Sequence, residues 1–142
     1  RRYFLLHALL DHYAAKFFIK VEQVSVQGDH LHLLIRTTRR SMFQSFFRVL
    51  AGQIAQRFQQ QGLMVTDTPG GAKSSRVPTR LWRHRPFTRV VKGWKAYKIV
   101  RRYIQLNEWE ALGLVSYRKR RTKGMSHEEW QAPQAQVWGA RV

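Results

Sequence analysis

Val24-Ser25-Val26-Gln27-Gly28-Asp29-His30-Leu31-His32-Leu33-Leu34-Ile35 has the pattern of a strand, a turn and a second strand. Gly28-Asp29 supplies the turn chemistry, and the residues after it alternate as a strand requires. Successive side chains on a strand point to opposite faces. His30 and His32 therefore share one face, and Leu31, Leu33 and Ile35 take the other. Two imidazoles side by side suit a core poorly, since each has a polar edge that needs a partner. They suit a divalent cation well, because neutral imidazole is a favoured ligand. From the pattern alone both readings stand: a surface or structural pair, or half of a metal site.

On either side of the hairpin the periodicity changes to that of helices. Tyr3 to Lys16 carries Leu6, Leu9, Leu10 and Tyr13, with Phe17 beyond, at three- and four-residue steps, predicting a helix. Phe18 to Val26 is rich in β-branched residues and forms the first hairpin strand, and the His strand runs on to Arg36. Thr37 to Ser41 is polar and can cap a second helix from Met42 to about residue 61. Its stripe of Phe43, Phe46, Phe47, Leu50, Ala51, Ile54 and Phe58 reads as core, with Gly62 just past its end.

Residues 66–79 read as a loop. Gly70-Gly71 and Lys73-Ser74 lie there, but the spacing of a phosphate loop is absent, which excludes nucleoside-triphosphate binding of that kind. Leu81 to Val91 is a strand candidate broken by Pro86. A third helix runs from Gly93 to about Leu112 and stops at Gly113. The order helix, strand, strand, helix, strand, helix predicts an α+β fold, an antiparallel sheet with helices packed on it. A strand ahead of residue 1 would complete a ferredoxin-like arrangement. Residues 1–116 are read as one domain and 117–142 as a basic tail.

Composition narrows the partner. The 142 residues hold 26 Lys and Arg against 8 Asp and Glu, a formal net charge of +18. That excess points to a polyanion. With 5 Trp, 5 Tyr and 8 Phe beside so many cations, single-stranded nucleic acid fits best, phosphates on the basic groups and bases on the rings. No apolar run approaches the ~20 residues of a membrane span. The absence of cysteine excludes disulfides, cysteine zinc sites and thiol nucleophiles. The chain opens at Arg1, without Met and already in a helical pattern. It lacks a signal-peptide layout, so the expectation is a missing upstream segment and a cytoplasmic location.

The third helix holds a second oddity. Its inward stripe reads Ala96, Ile99, Val100, Tyr103, Ile104, Asn107 and Ala111. Tyr103 and Asn107 lie four residues apart on one face. A carboxamide on an apolar stripe must find partners or cost a few kcal/mol. Either it bonds a neighbouring strand's backbone and Tyr103 is core, or the pair is chemical, Asn107 a metal ligand and Tyr103 a nucleophile.

Taken together, Val26-Gln-Gly-Asp-His-Leu-His-Leu-Leu-Ile35, the Phe-rich helix and Tyr103-Ile-Gln-Leu-Asn107 resemble the single-tyrosine HUH transposases. These are the IS200-like group with its REP-associated branch, and the resemblance covers Arg1 to Gly113. It implies a ferredoxin-like HUH fold, a metal held by His30, His32 and Asn107, and Tyr103 as the attacking group. The implied cation is Mg²⁺ or Mn²⁺, since a phosphate substrate favours a hard ion. The implied reaction cleaves and rejoins single-stranded DNA, at ends carrying DNA hairpins, through a 5′-phosphotyrosine link. Asn at the fourth position after the tyrosine leans toward the REP-associated branch.

The chain departs from the family pattern at three places. Asp29 stands where Asn often precedes the first His, Asn107-Glu108 where Asn-Pro often follows the tyrosine, and the first strand is lacking. For DNA contact the candidates are Arg36, Arg39, Arg40, Arg89, Lys92, Arg101 and Arg102, with Arg118, Arg120 and Arg121 of the tail. His84 reads as a surface residue, and His7 and His12, five apart on a helix, do not suit shared coordination. The resemblance leaves monomer and homodimer open and places a bacterial protein at the nucleoid. The rival reading is a domesticated, non-catalytic protein that binds hairpin DNA or RNA.

Overall fold

The computed structural model describes residues 1–63 and 81–116. The expected loop at 66–79 and the basic tail, with Arg118, Arg120 and Arg121, lie outside the described residues. Five elements follow one another: α1 (Arg2–Lys16), β1 (Lys20–Val26), β2 (Leu31–Arg36), α2 (Arg40–Gln60) and α3 (Trp94–Ala111). β1 and β2 form a two-stranded sheet. Their antiparallel pairing is closed by the Gln27 N–H, which donates to the His30 carbonyl at 2.9 Å. The class is α+β, consistent with a partial ferredoxin-like fold.

The chain divides into two compact units, one of Arg1–Lys20 with Thr37–Thr88, the other of Val21–Arg36 with Arg89–Val142. In the first, α1 packs on α2. The α2 stripe narrows to Phe46, Leu50, Ile54 and Phe58, all buried at strict four-residue steps, with Leu10, Ala14 and Ile19 also buried. Spacing of four keeps these side chains on one face, one turn above another. At the start of α2, N-cap Arg39 makes no side-chain capping bond. The Thr37 hydroxyl instead accepts from the Arg39 N–H at 3.3 Å, and the helix begins at Arg40, two residues before the expected Met42.

All three helices end in the same way. The residue after each C-cap takes a left-handed backbone: Phe18 at φ 55°, Gly62 at φ 64° and Gly113 at φ 72°. The next N–H reaches back five residues in each case, from Ile19 to Ala14, Leu63 to Phe58 and Leu114 to Trp109, each at 2.9 Å. This is the Schellman motif, whose left-handed position favours glycine because a Cβ crowds the following carbonyl. Phe18 occupies that position with its ring 82% exposed.

Two sequence expectations are corrected. Residues 81–92 form no strand. Pro86 has no N–H for a ladder, and Phe87 and Val90 are exposed, so no apolar face holds the segment on a sheet. The Trp82 indole N–H tethers it within the first unit, donating to the Ala51 carbonyl at 2.9 Å. The second correction concerns α3, whose buried residues are Ile104, Leu106, Asn107, Glu108 and Trp109. Ile99, Tyr103 and Ala111, read as inward, are exposed. The apolar stripe holds only where the helix C-terminal half is covered.

Candidate active site

The second unit contains both halves of the site. β2 begins at Leu31, so His30 is the last residue of the turn, exposed, while His32 is half-buried on the strand. Their rings nonetheless meet edge to face, centroids 4.7 Å apart and planes at 85°. The buried residue of β2 is Leu34, on the His32 side, and Leu31, Leu33 and Ile35 are half-buried. α3 packs on β2.

Tyr103 is the point of approach. Its ring lies 6.1 Å from that of His32, centroid to centroid and steeply inclined, and Tyr103 stays 39% exposed. One helical turn further on, Asn107 is buried. Hydrogen bonds tie the hairpin to the helix at this level. The Gln27 side-chain amide donates to the Asn107 backbone carbonyl at 2.9 Å and to the Ser25 hydroxyl at 2.6 Å. The Val26 N–H donates to Glu108 Oε2 at 2.7 Å. Glu108 thus makes a side-chain bond to strand backbone. Ser25, fully buried, completes the polar seam.

His30 is oriented from outside. Its Nδ1 lies 2.6 Å from Asp29 Oδ1. A carboxylate at Nδ1 favours the tautomer that carries its proton there and leaves Nε2 as the basic nitrogen, the arrangement by which outer carboxylates present metal-ligating histidines. The hydrogen bond and charge of His30 hold the Asp29 carboxyl below its ordinary value of 3.8. Asp29, Gln27, Ser25 and Glu108 went unassigned in the sequence reading. The first carries a signal, an acid beside the His pair; Gln27 and Glu108 act through contacts across about eighty residues, and Ser25 through Gln27.

The donor set fits a divalent cation in kind. Two imidazoles with centroids 4.7 Å apart can each turn a nitrogen to one ion at roughly 2 Å, and a carboxamide oxygen is an acceptable third donor. No three His, Cys, Asp or Glu side chains gather into a metal-holding group among the described residues, so a site here depends on the mixed set of two His and an Asn.

The basic candidates divide between the units. Arg36, Arg89, Lys92, Arg101 and Arg102 are exposed and belong to the unit of the His pair, whereas Arg39 and Arg40 belong to the other. Arg36 is also engaged, its guanidinium 3.1 Å from Glu22 Oε1.

A family model described as IS200-like transposase matches residues 4–107. The chain belongs to the IS200-like transposase family. The matched span runs from the first turn of α1 to Asn107 and so includes the His pair and Tyr103. Membership makes DNA the partner and transposition the general activity. Comparison with curated proteins and with solved structures gave no match. Among the described residues of this IS200-like chain, no helix is long and apolar enough to cross a membrane.

Proposed function

We propose that this chain is a metal-dependent transposase and endonuclease of single-stranded DNA, with Tyr103 as nucleophile and His30, His32 and Asn107 as ligands of Mg²⁺ or Mn²⁺. The observation that carries the reading is the approach of a partly exposed Tyr103 to His32 at 6.1 Å. An ordinary core tyrosine is neither exposed nor set against a histidine pair. When bound, the cation supplies charge that offsets the developing negative charge on the phosphate oxygens.

The rest falls to the chain. The phenol proton must leave as the bond to phosphorus forms. Tyr103 Oη attacks the phosphorus and its proton passes to solvent. The bond from phosphorus to the 3′ oxygen breaks, and that oxygen takes a proton from solvent and leaves as a hydroxyl. The DNA 5′ phosphate is then esterified to Tyr103, and a later 3′-hydroxyl reverses the exchange without any nucleotide cofactor. Gln27 and Glu108 hold the tyrosine helix against the hairpin, fixing the distance between nucleophile and histidines. DNA ends that carry a hairpin next to a single strand are the expected substrates, and the nucleoid of a bacterium the expected setting.

The test is capture of the covalent link. Incubate the protein and Mn²⁺ with a labelled pool of hairpin-ended single strands, then separate on a denaturing gel. A protein–DNA adduct that Tyr103→Phe lacks and that EDTA prevents supports the reading. Calorimetry with Mn²⁺ should give binding that His32→Ala abolishes. Hairpin binding with no adduct and no Mn²⁺ uptake would make the protein the non-catalytic binder of the rival reading.

A further inference from the structure

The N-terminal half of α3 carries an aromatic and basic surface that the proposed chemistry leaves unused. Trp94 is 68% exposed. One face of its indole stacks on Tyr97, with centroids 5.2 Å apart and planes within 16°. Tyr97 is itself fixed, its hydroxyl donating to Glu22 Oε2 at 3.0 Å. The indole is therefore backed by a ring anchored to β1, a rigid plate with most of its surface in water. The Lys98 ammonium lies 5.6 Å from the Trp94 ring centroid, within cation–π reach.

Helical spacing continues the surface. Trp94, Lys98, Arg101 and Arg102 stand at steps of four, three and one, a single stripe of α3. No acidic residue occurs between Leu81 and Asn107. Nine residues at roughly 100° each put Trp94 about half a turn around the helix from Tyr103. The stripe is thus separate from the face that meets the histidines.

We propose that this stripe is a second binding site for single-stranded DNA, one unpaired base stacking on the Trp94 indole and the adjoining phosphates lying on Lys98, Arg101 and Arg102. An exposed indole offers stacking to any base, and the basic stripe selects a polyanion but no sequence. A base pair inside a duplex hides both its faces, so the plate distinguishes unpaired DNA from paired. The site needs neither metal nor Tyr103.

Binding of a dye-labelled single strand of about 20 nucleotides, followed by anisotropy in EDTA, isolates this site from the cleavage chemistry. Trp94→Ala should weaken the single strand about 5- to 150-fold, the range one base–aromatic stack carries. Trp94→Phe should restore most of the affinity, and duplex binding should change less than twofold. Lys98→Gln with Arg101→Gln should flatten the dependence of affinity on salt. Tyr103→Phe should bind as the parent does, so loss of cleavage and loss of this site read out separately. Equal single-strand affinity in Trp94→Ala and parent overturns the proposal, as does an equal loss for duplex. Trp94-dependent binding to anionic phosphatidylserine vesicles, with DNA affinity unmoved, would assign the stripe to a lipid surface instead.

Discussion

Replacing Glu108 by Ala tests what holds the tyrosine helix to the hairpin. Glu108 is 5% exposed, and its Oε2 takes the Val26 N–H at 2.7 Å. A hydrogen bond to a charged acceptor contributes ~1.5–3 kcal/mol, and an orphaned buried donor loses the whole of it. Losing the buried Cγ methylene adds ~0.8 kcal/mol. The combined cost is about 3 kcal/mol, which lowers Tm by roughly 10 °C in a chain of this size. Glu108→Gln keeps an oxygen for the Val26 N–H and should recover more than half of that loss.

Thermal and urea unfolding by circular dichroism give the global number. Amide hydrogen exchange at Val26 gives the local one, faster in Glu108→Ala and close to the parent in Glu108→Gln. A Glu108→Ala protein within 2 °C of the parent (a loss below ~1 kcal/mol), with the Val26 amide equally protected, would refute the reasoning. Glu108 would then be a buried acid that anchors nothing.

Phe18→Gly should raise stability by about 1 kcal/mol, because the left-handed turn after α1 no longer strains a Cβ and the exposed ring surrenders little burial; a lower urea midpoint would show that the ring packs in a way its exposure hides. Phe46→Ala, at a side chain with no exposed surface, should cost ~3–5 kcal/mol, read from the same urea curves; a cost under ~1 kcal/mol would mean that α2 repacks freely. In metal-free protein the Asp29 carboxyl should titrate below 3.8 by NMR. Its folded value is depressed, so its stabilising contribution is present above 3.8 and lost as pH falls through the lower folded value. His30→Ala should return the titration to the ordinary range, and an unchanged midpoint would refute the pairing.

The hairpin was legible because turn chemistry and strand alternation are local signals, and Gly28-Asp29 between β-rich runs admits little else. The helices were legible for the same reason, α2 above all, where four buried side chains repeat at a single spacing. The segment at 81–92 misled because β-rich composition says nothing of a partner strand, and Pro86 was the better guide. α3 misled differently. Periodicity finds which residues share a face but not how far along the helix that face is covered, so Ile99 and Ala111 were placed inward. At the site, the meeting of His32 and Tyr103 was expected only through family resemblance. Glu108 and Gln27 were invisible because nothing local marks a bond between residues 26 and 108 or between 27 and 107.

The ties of α3 to the hairpin limit how the chain length can vary. Tyr97 is pinned to Glu22 near one end, and Asn107 and Glu108 to residues 26 and 27 near the other. Those pins are eleven residues apart, about 16 Å along the axis. Deleting or inserting one residue between them would put the two ends out of phase by roughly 100° and shift them by ~1.5 Å. One anchor would have to break, and Tyr103 would swing away from His32. Substitutions can accumulate on the outer side of this stretch, but its length is fixed, and insertions and deletions in related chains should fall outside 97–108.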